Sequence, residues 1–135
     1  VRRLEPFSRG LARHARRNLH RLPAAIRRLK AFDAAYYAHF ETRDIILSPV
    51  ATCVAPPLGH LAPDLDYETH LARAKDMVAF TPLQNGAGGP AISVPAGVTK
   101  GGLPMAVQLA ADRGQERMLL ELAYALEDQS AYSNG

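Results

Sequence analysis

Side-chain catalysis of acyl transfer needs a nucleophile held beside a base, and this 135-residue sequence offers few of either. Its serines are Ser8, Ser48, Ser93, Ser130 and Ser133. None lies in a Gly-x-Ser-x-Gly elbow or a Ser-rich glycine loop, where a hydroxyl stands on a sharp turn among oxyanion-binding N–H groups. The single cysteine, Cys53, has His60 as its nearest imidazole in sequence, and an inert buried thiol is the expectation. The histidines His14, His20, His39, His60 and His70 are scattered, with no i, i+4 pair and partner acid, so no metal site is expected. Gly86-Ala87-Gly88-Gly89 could cradle a phosphate only if it joined a strand to a following helix. It joins a helical pattern to a strand pattern, and no Lys-Ser/Thr follows. Those glycines are read as a sharp turn that approaches another segment closely, and no cofactor is expected.

Apolar residues make up 47% of the chain and charged residues 21%, which suits a folded domain and not a disordered one. No apolar run nears the roughly 18 residues that span a bilayer, so no membrane partner is expected. One cysteine makes a reduced, cytoplasmic setting the expectation. The net charge of +3 hides an asymmetry: residues 1–30 carry ten of the sixteen Lys and Arg against one acid, Glu5. This basic arm has a regular apolar stripe and no aromatic platform for bases, so it reads as a solvated helical face, or one that packs on an acidic partner segment, and not as a nucleic-acid surface.

The elements follow from period and punctuation. Leu4, Phe7 and Leu11 keep a helical spacing, and Leu19, Leu22, Ile26 and Leu29 recur in steps of three and four. Phe32, Tyr36, Tyr37 and Phe40 continue that face as core. Pro23 suits a first turn only, so helices are predicted over 8–20 and 23–42 with a break before the proline. Residues 44–48 read as a buried strand stopped by Pro49, and the proline-rich stretch 49–66 as a loop. Asp64 or Asp66 caps a helix over 67–82. Ala91–Pro95 and Leu103–Leu109 read as antiparallel neighbours, because the segment 96–102 is too short for a parallel crossover. A helix between the first and second strands suits a right-handed parallel crossover. Asp112 and Gln115 open a closing helix.

Three linked motifs then carry a resemblance. The segment from Phe80 to Gly97, with Asn85 and small residues leading into Gly89-Pro90-Ala91-Ile92-Ser93-Val94-Pro95-Ala96-Gly97, resembles the late segment of amidase-signature hydrolases. Gly102-Leu103-Pro104-Met105-Ala106-Val107-Gln108-Leu109 is similar to that family's Gly-Leu-Pro-x-x-x-Gln-Leu strand, and Glu116 to Glu127 to its closing helix. Asp44-Ile45-Ile46-Leu47-Ser48-Pro49 resembles its Asp-x-x-x-Thr-Pro strand, with Ser48 for the commoner Thr.

The resemblance implies an α/β class, as part of an α/β/α domain with a mixed sheet that is incomplete in this chain. Residues 1–43 would form a helical arm packing on the rest of the enzyme, and 44–135 the carboxy-terminal part of the α/β domain. It implies hydrolysis of carboxamide C–N bonds by a Ser nucleophile, a second Ser in a cis peptide and a Lys. That machinery is not here: Lys30, Lys75 and Lys100 stand in other contexts, and no Gly-Gly-Ser-Ser-Gly-type loop occurs. No catalytic residue is therefore assigned, and the catalytic part is expected to precede Val1 in a longer chain. The partners expected are that catalytic part and a small amide substrate, and the unfinished sheet predicts self-association such as a homodimer. Near the substrate the resemblance places Pro49, Val50, Ala51 and Thr52, at the end of the first strand, and a turn holding Leu83, Gln84 and Asn85. Two rivals remain. A transamidating subunit that works on misacylated tRNA would carry a Tyr-x-x-Asp-x-x-Thr run, whose spacing Ala74–Thr81 lacks. A non-catalytic binding module would use the basic arm to hold an anionic partner.

Overall fold

The computed structural model describes residues 4–128, so Arg2, Arg3, Ser130 and Ser133 lie outside the described residues. Helix α1 (Pro6–Arg17) opens with a proline in its first turn, where the missing N–H leaves no bond unmade. A 3-10 turn, Leu19–Arg21, separates it from α2 (Leu22–Tyr37), and Pro23 sits in the first turn of α2 as its fixed φ dictates. Strand β1 (Ile45–Pro49), helices α3 (Tyr67–Met77) and α4 (Pro82–Ala87), strands β2 (Ala91–Val98) and β3 (Pro104–Ala111), and helix α5 (Glu116–Glu127) follow.

The helix predicted over 67–82 ends at Met77, and a separate short helix stands in place of the turn predicted at Leu83–Asn85. Pro82 provides the reason, since a ring inside a helix clashes with the preceding turn but starts a new helix well. Gly88, at φ 65, closes α4 in the left-handed conformation, donating its N–H to Gln84 O at 2.8 Å. At the other end of the prediction, Asp66 caps α3 by accepting from Thr69 N–H at 3.0 Å. Thr69, through its side chain and then its backbone N–H, holds the Asp66 carboxyl below the usual aspartate value.

The sheet order is β1-β3-β2. As expected, β2 and β3 are antiparallel neighbours, with Ser93 opposite Gln108 and a bulge between Pro95 and Gly97. Strand β1 also pairs antiparallel with β3, Ser48 opposite Gln108. Strands β1 and β2 thus run in one direction, as a crossover requires, but β3 lies between them. The expected mixed sheet is, in these three strands, antiparallel throughout. A hairpin return can insert beside its own strand and still reach the other, which adjacency in sequence does not reveal.

Helix α5 lies across β2 and β3. Leu119 and Ala123 meet Val94, Leu109 and Ala111, ringed by Ile45, Ile92 and Val107. Of the alternating Met105, Val107 and Leu109 on β3, Val107 and Leu109 serve that face while Met105 is exposed, and Leu109 is the largest fully buried side chain among the described residues. Helix α1 packs on α3, with Phe7 stacked 4.4 Å from the His70 ring and 5.7 Å from that of Tyr67. Helix α2 packs on α4 through its second half, where Tyr36 is buried. The first half of the predicted stripe is uncovered: Leu19, Leu22, Ile26 and Leu29 remain 48–60% exposed. This α/β unit carries apolar surface that it does not itself cover.

Candidate functional site

The residues expected near a substrate fall in two places. Pro49 ends β1, and the chain leaves the sheet there because residues 50–66 form no regular element. Val50 keeps one contact with the sheet, its N–H donating to Ala106 O at 3.4 Å. Thr52 then swings the loop against the end of α3. Its N–H donates to Met77 O at 3.2 Å and its hydroxyl donates to Asp76 O. These carbonyls belong to the last turn of a helix, where no intrahelical donor remains, so Thr52 acts as a C-terminal cap supplied from a distant segment.

The result is a hollow of about 490 Å³. Pro49 through Thr52 form one wall, Met77 another, and Pro104, Met105 and Ala106 from the start of β3 a third, with Cys53, Val54 and Ala55 at the loop side. Cys53 is exposed and not the buried thiol expected, because the loop that carries it runs over the surface. Met77 and the Pro104–Ala106 run escape sequence reading as site residues. They meet the loop only through the tertiary fold, and the sole local hint is that Pro104–Ala106 belong to one of the linked motifs.

Leu83, Gln84 and Asn85 do not line this hollow. They lie on α4, with Leu83 and Asn85 exposed and Gln84 buried beside Tyr36. Neither Gln84 Oε1 nor Tyr36 Oη has a hydrogen-bond partner among the described residues. Burial pushes the Tyr36 phenol above the usual tyrosine value, with the neighbouring Gln84 side chain opposing. Close by, Tyr37 Oη donates to Ala87 O at 3.2 Å. Arg113 lies over the Tyr37 ring at 4.0 Å and donates to Ala87 O at 3.0 Å and to Asp33 Oδ1 at 2.5 Å. This knot ties α2, α4 and the approach to α5 together, and it positions the Gly88–Pro90 turn that leads into β2.

No group of three His, Cys, Asp or Glu side chains able to hold a metal occurs among the described residues. No helix among them is long and apolar enough to cross a membrane. Ser48, on β1, and Ser93, on β2, both stand opposite Gln108 on β3, without a lysine or histidine in that row. Ser48 Oγ and Gln108 Oε1 are buried without a partner among the described residues.

The model of the family described as Amidase matches residues 2–120. The chain belongs to the amidase family. AmiC of Mycobacterium tuberculosis, assigned by name to the amidases, is 48% identical over 126 residues, which cover 93% of this chain and 26% of AmiC. The chain thus spans about a quarter of the length of such amidase relatives. A solved 6-aminohexanoate cyclic dimer hydrolase superposes with a TM-score of 0.66 at 30% identity, over 79% of this chain and 24% of that one. A glutamyl-tRNA(Gln) amidotransferase subunit of Thermotoga maritima gives a TM-score of 0.62 at 26% identity, over 96% and 29%. Amidase relatives therefore share this arrangement of strands and helices as one part of a larger enzyme.

Proposed function

We propose that this chain is the carboxy-terminal part of an amidase that hydrolyses carboxamide C–N bonds to an acid and ammonia or an amine. The Ser, cis-Ser and Lys that carry the reaction lie outside this chain, and the chain alone is inactive. Its contribution is a wall of the substrate pocket, three strands of the sheet, and helices that pack over the catalytic part, with residues 1–43 as the arm and 44–135 as the α/β portion. One observation carries this reading. The end of β1, the end of α3 and the start of β3 converge on one hollow, and they hold the Pro49–Thr52 segment that the family resemblance places near substrate.

The test compares this 135-residue chain with the longer polypeptide encoded by its reading frame, measuring ammonia release from a panel of simple carboxamides. The longer polypeptide is expected to hydrolyse at least one amide, and the chain alone none. Ammonia release by the chain alone would place catalytic groups within it and overturn the reading. Transamidation is the second reading, favoured by the superposition on the Thermotoga amidotransferase over 96% of this chain. Under it, the longer polypeptide consumes glutamine only when a misacylated tRNA and its partner subunits are supplied.

A further inference from the structure

We infer that the hollow at the end of β1 receives an uncharged, apolar acyl group of the amide substrate, and that Met77 and Met105 set how long a group it accepts. The inference rests on reading the hollow as a substrate wall.

The lining carries the argument. Apart from the Cys53 thiol, no side chain that lines the hollow is ionisable. The Thr52 hydroxyl already donates to Asp76 O, and the Thr52 and Val50 N–H groups are bonded to Met77 O and Ala106 O. The Thr52 hydroxyl and the Val50 and Thr52 N–H groups are thus engaged within the chain, and the Cys53 thiol is the one other side-chain donor on the lining. A carboxylate or ammonium placed there would lose its hydration and find no counter-charge, whereas a methylene chain would lose nothing. The same hydrogen bonds tie the three walls to one another, so the hollow is built by this chain and is not merely a face left bare. At about 490 Å³ it lies within the size range of small-molecule sites.

Met77 comes from the last turn of α3 and Met105 from the start of β3, so the two enter from different elements. Methionine is unbranched and polarisable and adapts to irregular contents. Two such side chains on different walls suit acyl groups that vary in shape but remain apolar. Truncating either lengthens the space without altering its polarity.

The experiment uses the full-length enzyme and three amides of equal length: hexanamide, 6-aminohexanamide and the monoamide of adipic acid. Hexanamide is expected to exceed either charged amide in kcat/KM by about 100-fold or more. Met105→Ala and Met77→Ala are expected to shift the preferred straight-chain amide from hexanamide toward octanamide. Met105→Glu is expected to move the ratio of 6-aminohexanamide to hexanamide upward by about 10-fold. Equal rates on charged and neutral amides would overturn the inference while leaving the amidase reading intact. So would folded methionine-to-alanine variants with an unchanged chain-length preference, which serve if Met105→Glu does not fold. Hydrolysis of no amide at all would overturn the amidase reading itself, and this inference with it.

Discussion

Replacing Gly10 by alanine tests the packing that holds α3 in place. Gly10 is buried on α1 directly against Tyr67, and a Cβ there would fall inside van der Waals contact of Tyr67 Cβ and Cγ. Two effects compete. Alanine in a helix is favoured over glycine by about 1 kcal/mol. Against this, forcing an extra carbon into a packed contact costs about 1–3 kcal/mol. The atoms struck lie at the root of the tyrosine side chain, so no rotamer change relieves the clash and the helices must separate. Separation also weakens the Phe7 contacts with Tyr67 and His70, each worth about 0.5–1.5 kcal/mol. The net expectation is destabilisation by about 1–3 kcal/mol. With a urea slope of about 1–3 kcal/mol per molar, the midpoint should fall by about 1 M, read by far-ultraviolet circular dichroism at several protein concentrations. Arg13→Ala, at an exposed position of the same helix, should stay within about 0.5 kcal/mol of the parent. A rise in midpoint for Gly10→Ala would mean that helix propensity wins, so that α1 does not pack on Tyr67. In the longer amidase proposed above, the same substitution should raise KM for amides, since α3 supplies Met77 and the carbonyls that hold Thr52.

Two further outcomes are expected. Asp66 has a folded-state pKa below its ordinary 3.8, so its contribution to α3 is present above that value and lost as pH falls below it. Asp66→Asn keeps an acceptor for Thr69 N–H, and acid titration of stability should show a shallower loss in that variant than in the parent; equal profiles would mean the cap does not form. Tyr36 has a buried hydroxyl without a partner among the described residues, so Tyr36→Phe should leave stability unchanged or raise it by about 1 kcal/mol in urea unfolding. Because burial raises its pKa, the Tyr36 contribution is present below 10.0 and declines as pH climbs through the folded value, and the variant should lose less at alkaline pH. A loss of stability near neutral pH would show that Tyr36 Oη is bonded to Gln84 after all.

Much of this chain is legible from local signals. Pro23 and Pro49 punctuate helix and strand through a fixed φ and a missing donor, and the structure places them where that logic demands. Asp66 is legible as a cap because three residues on, the N–H of Thr69 is one of the helix's unmatched donors. The β2–β3 hairpin follows from the shortness of its connection, and its linked motifs resemble the family to which the chain belongs. Pro82 carries the same kind of signal, yet a helix drawn over 67–82 on apolar periodicity runs straight into it, and the ring starts a new helix instead.

What the sequence determined by itself is therefore local or shared across relatives: most element types and their order, the Asp66 cap and the family. Only the tertiary structure decided that β3 lies between β1 and β2, that Leu19 to Leu29 stay uncovered while Tyr36 is buried, and that Met77 joins Thr52 and Met105 around one hollow. A periodic stripe states that a face is apolar and not what covers it. A strand's alternation states which residues share a face and not which strand lies alongside. Those choices are made by contacts between residues far apart in the chain, whose closure entropy is repaid only when the whole arrangement forms.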